Sequence, residues 1–229
     1  MFEVLTDLIL ALLCYIYVFS LVFISNQLPN YLLVSKKTAR KVLHIMMGNI
    51  VFLLPFFTFH LVPILISLSI TVLNFLVSPY SPLKNVNKSL FEITEEGHPL
   101  GLVFYALSYT VLTVLFVSNP VIIMVGILPM AYGDAAASII GEKIGKKKYT
   151  LFTKKSVEGS IAMFAASLLS LTVGSLLFAC LGFSFAGWLY FPLVAAAAMV
   201  VEGLSPLGLD NLTVPAASVL TFLLLSGGI

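Results

Sequence analysis

Residues 120–140 read PVIIMVGILPMAYGDAAASII, twenty-one residues with a single charged side chain, Asp134. About 20 helical residues cross the roughly 30 Å hydrocarbon core of a bilayer, so this stretch predicts a transmembrane helix. The whole chain agrees with that prediction, since 60% of its 229 residues are hydrophobic and 10% are charged. A soluble domain carries about 25% charged residues. The mean hydropathy of +1.09 therefore excludes a soluble globular protein.

Other apolar runs of similar length lie on both sides of this stretch, at 7–25, 42–59, 61–78, 100–117, 157–181, 186–202 and 213–229. Eight membrane-spanning helices use roughly 160 residues and leave only short loops. We therefore predict an all-α, polytopic membrane helical bundle with about eight transmembrane helices. We expect a single membrane-embedded domain over residues 1–229.

All twelve Lys and Arg residues fall in three segments, at 36–41, 84–88 and 143–155. With eight helices, these segments emerge on one side of the membrane. The positive-inside rule makes that side cytoplasmic and places both termini on the other. Attraction to anionic lipid headgroups is the simplest role for the lysines. We expect an integral protein of the plasma membrane with a reaction surface on its cytoplasmic face; an organellar membrane is the alternative.

Asp134 lies about six residues before the end of its apolar run, roughly 9 Å below the membrane interface. A carboxylate at that depth is costly and by default faces the bundle interior and a partner. This position favours a metal or substrate role over a structural partner for a lysine. The preceding Gly133 allows another helix or a ligand to approach the backbone closely.

The loop that follows contains Gly141, Gly145, Lys146 and Lys148. Glycine backbone and clustered ammonium groups suit a polyphosphate. The spacing is too short for a P-loop, and no Ser or Thr follows Lys146. A lysine run is by itself more often a solvated surface, but its position between two carboxylates favours a nucleotide site.

The next helix is introduced by Lys155, Ser156 and Glu158. Ser156 is a candidate N-cap, and Glu158 suits the positive end of the helix dipole, so both have an adequate structural role. The same helix start would also suit a phosphate, with Glu158 on a magnesium ion.

Arg40, Lys41 and His44 share one helical face at the start of the second run. Arg40 suits a bidentate phosphate contact that stabilises developing charge. For His44, a hydrogen-bonded interfacial histidine and a site residue are equal alternatives.

Glu202 ends the seventh run, and Asp210 and Asn211 introduce the eighth. Asp210 is also a candidate helix cap. These carboxylates project to the same face as Asp134 and Glu158, and a few carboxylates plus phosphate oxygens are what Mg²⁺ requires. The segment 95–98, Glu-Glu-Gly-His, is less specific.

Four motifs in this order resemble the dolichol kinase/phytol kinase family, which is distantly similar to phosphatidate cytidylyltransferases. The motifs are Arg40-Lys41-x-x-His44, Gly133-Asp134 through Gly141 to Gly145-Lys146-x-Lys148, Lys154-Lys155-Ser156-x-Glu158-Gly159-Ser160, and Glu202 followed by Asp210-Asn211-x-x-Val214-Pro215. The resemblance implies a CTP-dependent kinase that phosphorylates a membrane polyprenol of the dolichol, phytol or geranylgeraniol type. The chain lacks the many additional helices of eukaryotic dolichol kinases, so a shorter polyprenol or a diacylglycerol is equally admissible.

The resemblance places Arg40, Lys41, Asp134 and Gly141 at positions that the family needs for activity. It assigns 145–148 and 154–159 to the nucleotide-binding loop. Expected partners are the membrane, a lipid alcohol and CTP, with no nucleic acid.

The expected mechanism is in-line phosphoryl transfer, in which positioning and charge neutralisation supply most of the catalysis. The predicted Mg²⁺ ligands are Asp134, Glu202, Asp210 and Asn211, and Arg40, Lys41, Lys146 and Lys148 are expected to neutralise the triphosphate. Asp134, Glu158 and His44 remain alternatives for the general base.

Two other functions use similar residues. A cytidylyltransferase attacks the α-phosphorus of CTP and releases pyrophosphate, but its pattern of clustered Lys, Asp and His before the last helix is not found. A secondary transporter also buries carboxylates in a bundle. Here the charges crowd one face, and no sequence repeat relates two halves.

Overall fold

The computed structural model describes residues 2–32, 34–82, 100–183 and 187–227. The predictions made for Lys84, Lys88 and the 95–98 segment lie outside these ranges. In chain order the elements are α1 (Phe2–Leu32), α2 (Lys36–Gly48), α3 (Leu61–Val77), α4 (Gly101–Phe116), α5 (Pro120–Leu128), α6 (Asp134–Lys143), β1 (Lys148–Thr150), β2 (Lys154–Ser156), α7 (Val157–Cys180), α8 (Phe191–Leu204) and α9 (Asp210–Ser226).

The prediction of an all-α membrane bundle is confirmed. Within the described ranges, five helical segments are long and apolar enough to cross a membrane, and three shorter apolar helices accompany them. These eight segments match the eight predicted runs. Many large apolar side chains point outward, among them Leu8 and Leu224, which are 60% and 82% exposed. Helices suit such a setting because they satisfy their backbone polar groups internally.

The chain forms two compact units, Met1–Ser118 and Asn119–Ile229. The first unit contains α1–α4, and the second contains α5–α9 with the β-hairpin. The expectation of one domain over the whole chain stays a prediction.

In the first unit, α1 and α2 run antiparallel. The hydroxyl of Ser25 donates to the carbonyl of Ala39 at 2.9 Å, and that of Tyr17 donates to the carbonyl of Met46 at 2.8 Å. Residues later in α1 therefore pair with residues earlier in α2. The N-terminal turn of α2 is fixed by Ser35, whose hydroxyl accepts the N–H of Thr38.

The other end of this pair is held by the carboxylate of Asp7, which is 1% exposed. Its two oxygens accept the N–H groups of Thr58 and Phe59 at 2.9 and 2.8 Å. These two bonds fasten the end of the second apolar run to α1.

Helices α3 and α4 pack against each other in the same unit. The side-chain amide of Asn74 donates to the carbonyl of Leu102 at 3.2 Å, and the hydroxyls of Thr71 and Thr110 lie 2.8 Å apart.

Two of the predicted runs are not continuous α-helices. The second run tightens into a 3₁₀ helix over Asn49–Phe56, which contains Pro55. The fifth run contains a π turn at Pro129–Gly133, where the N–H of Asp134 donates to the carbonyl of Pro129, five residues earlier. Each of these two segments contains a proline, Pro55 or Pro129. Proline has no backbone N–H to donate to the carbonyl four residues earlier, and it therefore disfavours a regular α-helix.

In the second unit, every residue of α5 is buried, and α7 and α9 pack against it. A helix that is apolar on all sides belongs in a core. The short hairpin pairs β1 with β2 in antiparallel register, with Lys148 opposite Ser156. The prediction that Ser156 caps the next helix is confirmed, because its hydroxyl accepts the N–H of Gly159 at 3.1 Å.

Candidate active site

Three carboxylates meet in the second unit. Asp134, Glu202 and Asp210 each offer an oxygen, and these oxygens all lie within 4.8 Å of one another. Asp134 and Glu202 are buried, with exposed fractions of 5% and 3%. The sequence placed these three residues on one membrane face, and the structure brings them to one point from three helices.

The π turn and a close helix contact position Asp134. Asp134 is the first residue of α6, directly after the π turn, and its backbone N–H closes that turn. A Cβ added at Gly133 would lie 2.3 Å from the Oγ of Ser167 and 2.6 Å from the Sδ of Met163. Glycine at this position therefore leaves room for these two α7 side chains beside Asp134. Single π turns within α-helices are frequent at functional sites.

A tight connection between α8 and α9 positions Glu202 and Asp210. Leu207 and Gly208 adopt left-handed backbone conformations there, with φ of 53° and 81°. The hydroxyls of Ser205 and Thr213 lie 2.6 Å apart and join the two helices. The turn therefore returns the chain so that the first residue of α9 meets Glu202.

Lys155 on β2 is a cation bonded to this cluster. Its ammonium group pairs with the carboxylate of Glu202. Burial by itself lowers the pKa of Lys155, but the charge and hydrogen bond of Glu202, together with the charges of Asp210 and Asp134, raise that pKa above its usual value. The ammonium therefore stays protonated beside the carboxylates.

The donor set of this cluster fits a hard divalent cation. The three carboxylates concentrate negative charge, and the ammonium group of Lys155 pairs with one of them, Glu202. Like charges at this separation disfavour one another's ionised form unless a cation lies between them. Carboxylate oxygens are the ligands that Mg²⁺ takes from proteins, and it usually takes few of them. The fourth predicted ligand, Asn211, is buried at the start of α9, and its backbone N–H donates to Asp210 at 3.0 Å; its metal role stays a prediction.

The predicted nucleotide loop is closely packed around Ser156. A Cβ at Gly145 would lie 2.3 Å from the carbonyl oxygen of Gly141, and one at Gly159 would lie 3.0 Å from the Oγ of Ser156. The ammonium of Lys148 donates to the carbonyl of Gly141 at 3.1 Å. These glycines thus have a packing role in the structure, whereas their contact with a nucleotide stays a prediction.

Glu158 lies outside the group of three carboxylates that the described part of the chain assembles. Its two oxygens accept the backbone N–H of Lys147 at 3.2 and 3.3 Å. The hairpin is also held by Tyr149, whose hydroxyl lies 2.7 Å from that of Ser160. Glu158 therefore orders the lysine loop, and its predicted roles on magnesium or as a base are untested. Lys146, in the same loop, is exposed.

The second predicted cluster lies on α2 in the first unit. Arg40, Lys41 and His44 are all buried there, with exposed fractions of 8%, 8% and 4%. The ring of His44 meets that of Tyr105 edge-on at 4.7 Å, and the Tyr105 hydroxyl donates to the His44 carbonyl at 2.9 Å. The shared face predicted from spacing is therefore a buried one, and the phosphate-binding roles of these residues stay predictions.

Sequence reasoning named Lys155 and Glu202 as site residues but missed their contact. The ion pair between Lys155 and Glu202 joins residues far apart in the chain, and no local pattern announces it. The buried role of Asp7 was not predicted either, although a charged residue at the start of an apolar run indicates one.

Known proteins similar to this chain are phytol kinases by name. This chain is 40% identical over 126 residues to "Phytol kinase" from Synechocystis sp., and the match covers 54% of this chain and 53% of that protein. It is 30% identical over 228 residues to "Probable phytol kinase, chloroplastic" from Zea mays, covering 90% of this chain and 73% of the relative. A Triticum aestivum protein of the same name is 29% identical over 224 residues, covering 91% and 74%. The first match thus spans about half of the Synechocystis protein. No family model and no solved structure matches the chain.

Proposed function

Since the chain belongs to the phytol kinase family, we propose that it is a lipid-alcohol kinase. The reaction is transfer of the γ-phosphate of CTP to the hydroxyl of a membrane prenol of the phytol, geranylgeraniol or dolichol type. One observation carries the proposal: Asp134, Glu202 and Asp210 converge within 4.8 Å beside Lys155. Phosphoryl transfer needs groups that position the phosphate and neutralise its charge, and it needs little covalent chemistry from the protein.

The three carboxylates, with Asn211 beside them, are the proposed holders of Mg²⁺. When bound there, the ion would offset phosphate charge and act as a Lewis acid toward the transferred group. The residues themselves have separate tasks. Lys155 holds the Glu202 carboxylate in one orientation, and the π turn holds Asp134 toward the other two carboxylates.

Several basic side chains are proposed to bind phosphate oxygens. Lys146 and Lys148 lie in the loop that precedes and forms β1, and Glu158 keeps this loop in place by binding the N–H of Lys147. Arg40 and Lys41 keep their sequence-based assignment to phosphate binding from α2. For the general base, Asp134, Glu158 and His44 are the three candidates.

We further propose that the site faces the cytoplasm from the plasma membrane, within one membrane-embedded kinase domain. The lysine asymmetry of the loops supports this orientation. The plant relatives are named chloroplastic, so fractionation of native membranes is the direct test of location.

The test of function uses purified protein in detergent with Mg²⁺ and CTP labelled on its γ-phosphate. The acceptors are phytol, geranylgeraniol, dolichol and diacylglycerol, each supplied separately. Label moving into the organic phase supports the kinase, and competition by unlabelled ATP measures the nucleotide preference. Release of labelled pyrophosphate on addition of phosphatidate would instead identify a cytidylyltransferase. The Asp134→Asn variant is the matched control, because it removes one carboxylate charge at almost constant volume.

A further inference from the structure

The first unit contains an elongated apolar cavity that is open at its mouth; its enclosed volume is about 90 Å³, and about 790 Å³ when the open space at the mouth is included. Its walls are formed by one face each of α1–α4 and the 3₁₀ segment. On α3 the lining runs from Pro63 to Asn74 and on α4 from Leu102 to Thr113. At 1.5 Å per residue, each of these two lining stretches is about 16 Å long, so the cavity is long enough for a hydrocarbon chain.

The two ends of the cavity differ in chemistry. At one end, Leu43 lines the wall next to His44, and Asn74 places its amide at the carbonyl of Leu102. The buried Arg40 lies one helical turn before Leu43 on α2. At the opposite end the wall is formed by Cys14, Phe57 and Ile66, which pack together as an apolar cluster.

The antiparallel pairing of helices fixes this order. Ser25 bonds to Ala39 at the Arg40 end of α1 and α2, whereas Asp7 bonds to Thr58 at the far end. The cavity therefore has a polar end, near the basic residue Arg40 of α2, and an apolar end opposite to it.

We propose that this cavity binds the branched hydrocarbon tail of the lipid-alcohol substrate, with the alcohol group at the Leu43–Asn74 end. The inference rests on the proposed function for the identity of the substrate. None of the described side chains that line the cavity carries a charge, so the lining suits an uncharged tail and excludes the headgroup of a phospholipid.

Selection by this cavity acts through shape. Bilayer lipid is as apolar as the cavity wall, so burial in the cavity gains little hydrophobic free energy over the membrane. Complementary packing against a close-fitting wall remains as the source of discrimination. The cavity therefore determines which tail lengths and branch patterns are accepted more than how tightly lipids bind in general.

The first experiment fills the cavity from α4. Ala106 lines it and is 6% exposed, whereas Val111 on the same helix is 46% exposed on the outer surface. Ala106→Phe is expected to lower kcat/KM for a twenty-carbon prenol about tenfold or more, while that for a five-carbon prenol stays within about twofold. The matched control Val111→Phe is expected to change neither. An equal loss with both alcohols, or no loss with either, would overturn the inference.

The second experiment measures binding without turnover. A geranylgeraniol analogue with a diazirine at its tail end is photolysed with the intact protein in nanodiscs, without nucleotide, and adducts are mapped by mass spectrometry. Adducts near Cys14 and Phe57 that disappear in Ala106→Phe support the cavity. Adducts confined to outward side chains such as Leu8 would overturn it.

The two proposals fail in different ways. If no lipid alcohol is phosphorylated but adducts map to the cavity, the kinase proposal fails and the prenol site stands. If lipid alcohols are phosphorylated but adducts map elsewhere, the kinase stands and the cavity inference fails.

Discussion

The ammonium group of Lys155 is bonded to the carboxylate of Glu202, 47 residues later in the chain. This pair joins the β-hairpin to the end of α8 at the centre of the carboxylate cluster. Glu202 is 4% and Lys155 is 23% exposed at the side chain, so the carboxylate is the more deeply buried partner. The pair therefore couples the position of the lysine loop to that of the cluster.

Replacing Lys155 by Met should destabilise the protein by about 2–3 kcal/mol. Removing one partner of a buried ion pair costs about 3–5 kcal/mol, and the partial exposure of Lys155 reduces that figure. Thermal unfolding in detergent measures the loss. The double variant Lys155→Met/Glu202→Gln should recover at least half of it, because the carboxylate that was bonded to Lys155 then carries no charge. Strict additivity of the two single variants would contradict the coupling.

Asp134→Asn should lower kcat about a hundredfold or more, equal to about 2.7 kcal/mol of transition-state stabilisation. The reason is loss of one of the three carboxylates that meet within 4.8 Å. The assay is label transfer from CTP to a prenol. Glu142→Gln is the matched control, since Glu142 lies on the same helix and is exposed. Near-normal turnover of Asp134→Asn would remove Asp134 from the site.

Mg²⁺ should stabilise the folded protein in the absence of nucleotide. At about 100 times its Kd, a ligand of the folded state adds about 2.7 kcal/mol, which raises the Tm of a chain of this size by about 5–10 °C. Asp210→Asn should lose most of this increase, whereas Glu142→Gln should keep it. An equal Mg²⁺ effect on both variants would show that the ion binds elsewhere.

Alanine at Gly145 should be far more damaging than alanine at Gly141. The added Cβ at Gly145 would lie 2.3 Å from a backbone oxygen, which cannot rotate away, whereas at Gly141 the nearest atom is the Ser156 hydroxyl at 3.0 Å. We expect losses of about 3 and about 1 kcal/mol in the free energy of unfolding, within the usual range for overpacking. Equal losses, measured by thermal unfolding, would contradict the tight loop packing.

Asp7→Asn should destabilise the first unit by about 2 kcal/mol. Its carboxylate accepts two backbone N–H groups, and hydrogen bonds to charged groups contribute about 1.5–3 kcal/mol each. The amide keeps one acceptor oxygen, so Asp7→Ala should cost more. Glu3→Gln on the exposed face of α1 should change stability by less than about 0.5 kcal/mol. Unfolding of the purified variants in detergent provides the comparison.

Features that depend on neighbouring residues were predictable from the sequence. The apolar runs located the helices because membrane insertion is determined by local hydropathy over about 20 residues. The N-cap at Ser156 followed from the preference of hydroxyl side chains for helix starts. The common face of Arg40, Lys41 and His44 followed from the 3.6-residue period of a helix.

Features that depend on the folded chain were not predictable in this way. The pairing of Lys155 with Glu202 requires the hairpin and α8 to meet, and hydropathy carries no information on that meeting. The π turn before Asp134 was not predicted either, because Pro129 indicates a disturbed helix but not which kind of turn replaces the α-helix. The glycines near Ser156 were interpreted as flexible backbone for a phosphate, and the structure adds that they relieve crowding.

The π turn at Pro129–Gly133 also determines what a small insertion or deletion would do here. Each residue turns a helix by about 100°, so removing one residue from this turn would swing Asp134 about a quarter of a revolution away from Glu202 and Asp210. The length and hydropathy of the membrane span would barely change. Two proteins with matching hydropathy profiles can thus differ by one amino acid at this point. One of them would assemble the carboxylate centre, and the other would insert in the membrane without it.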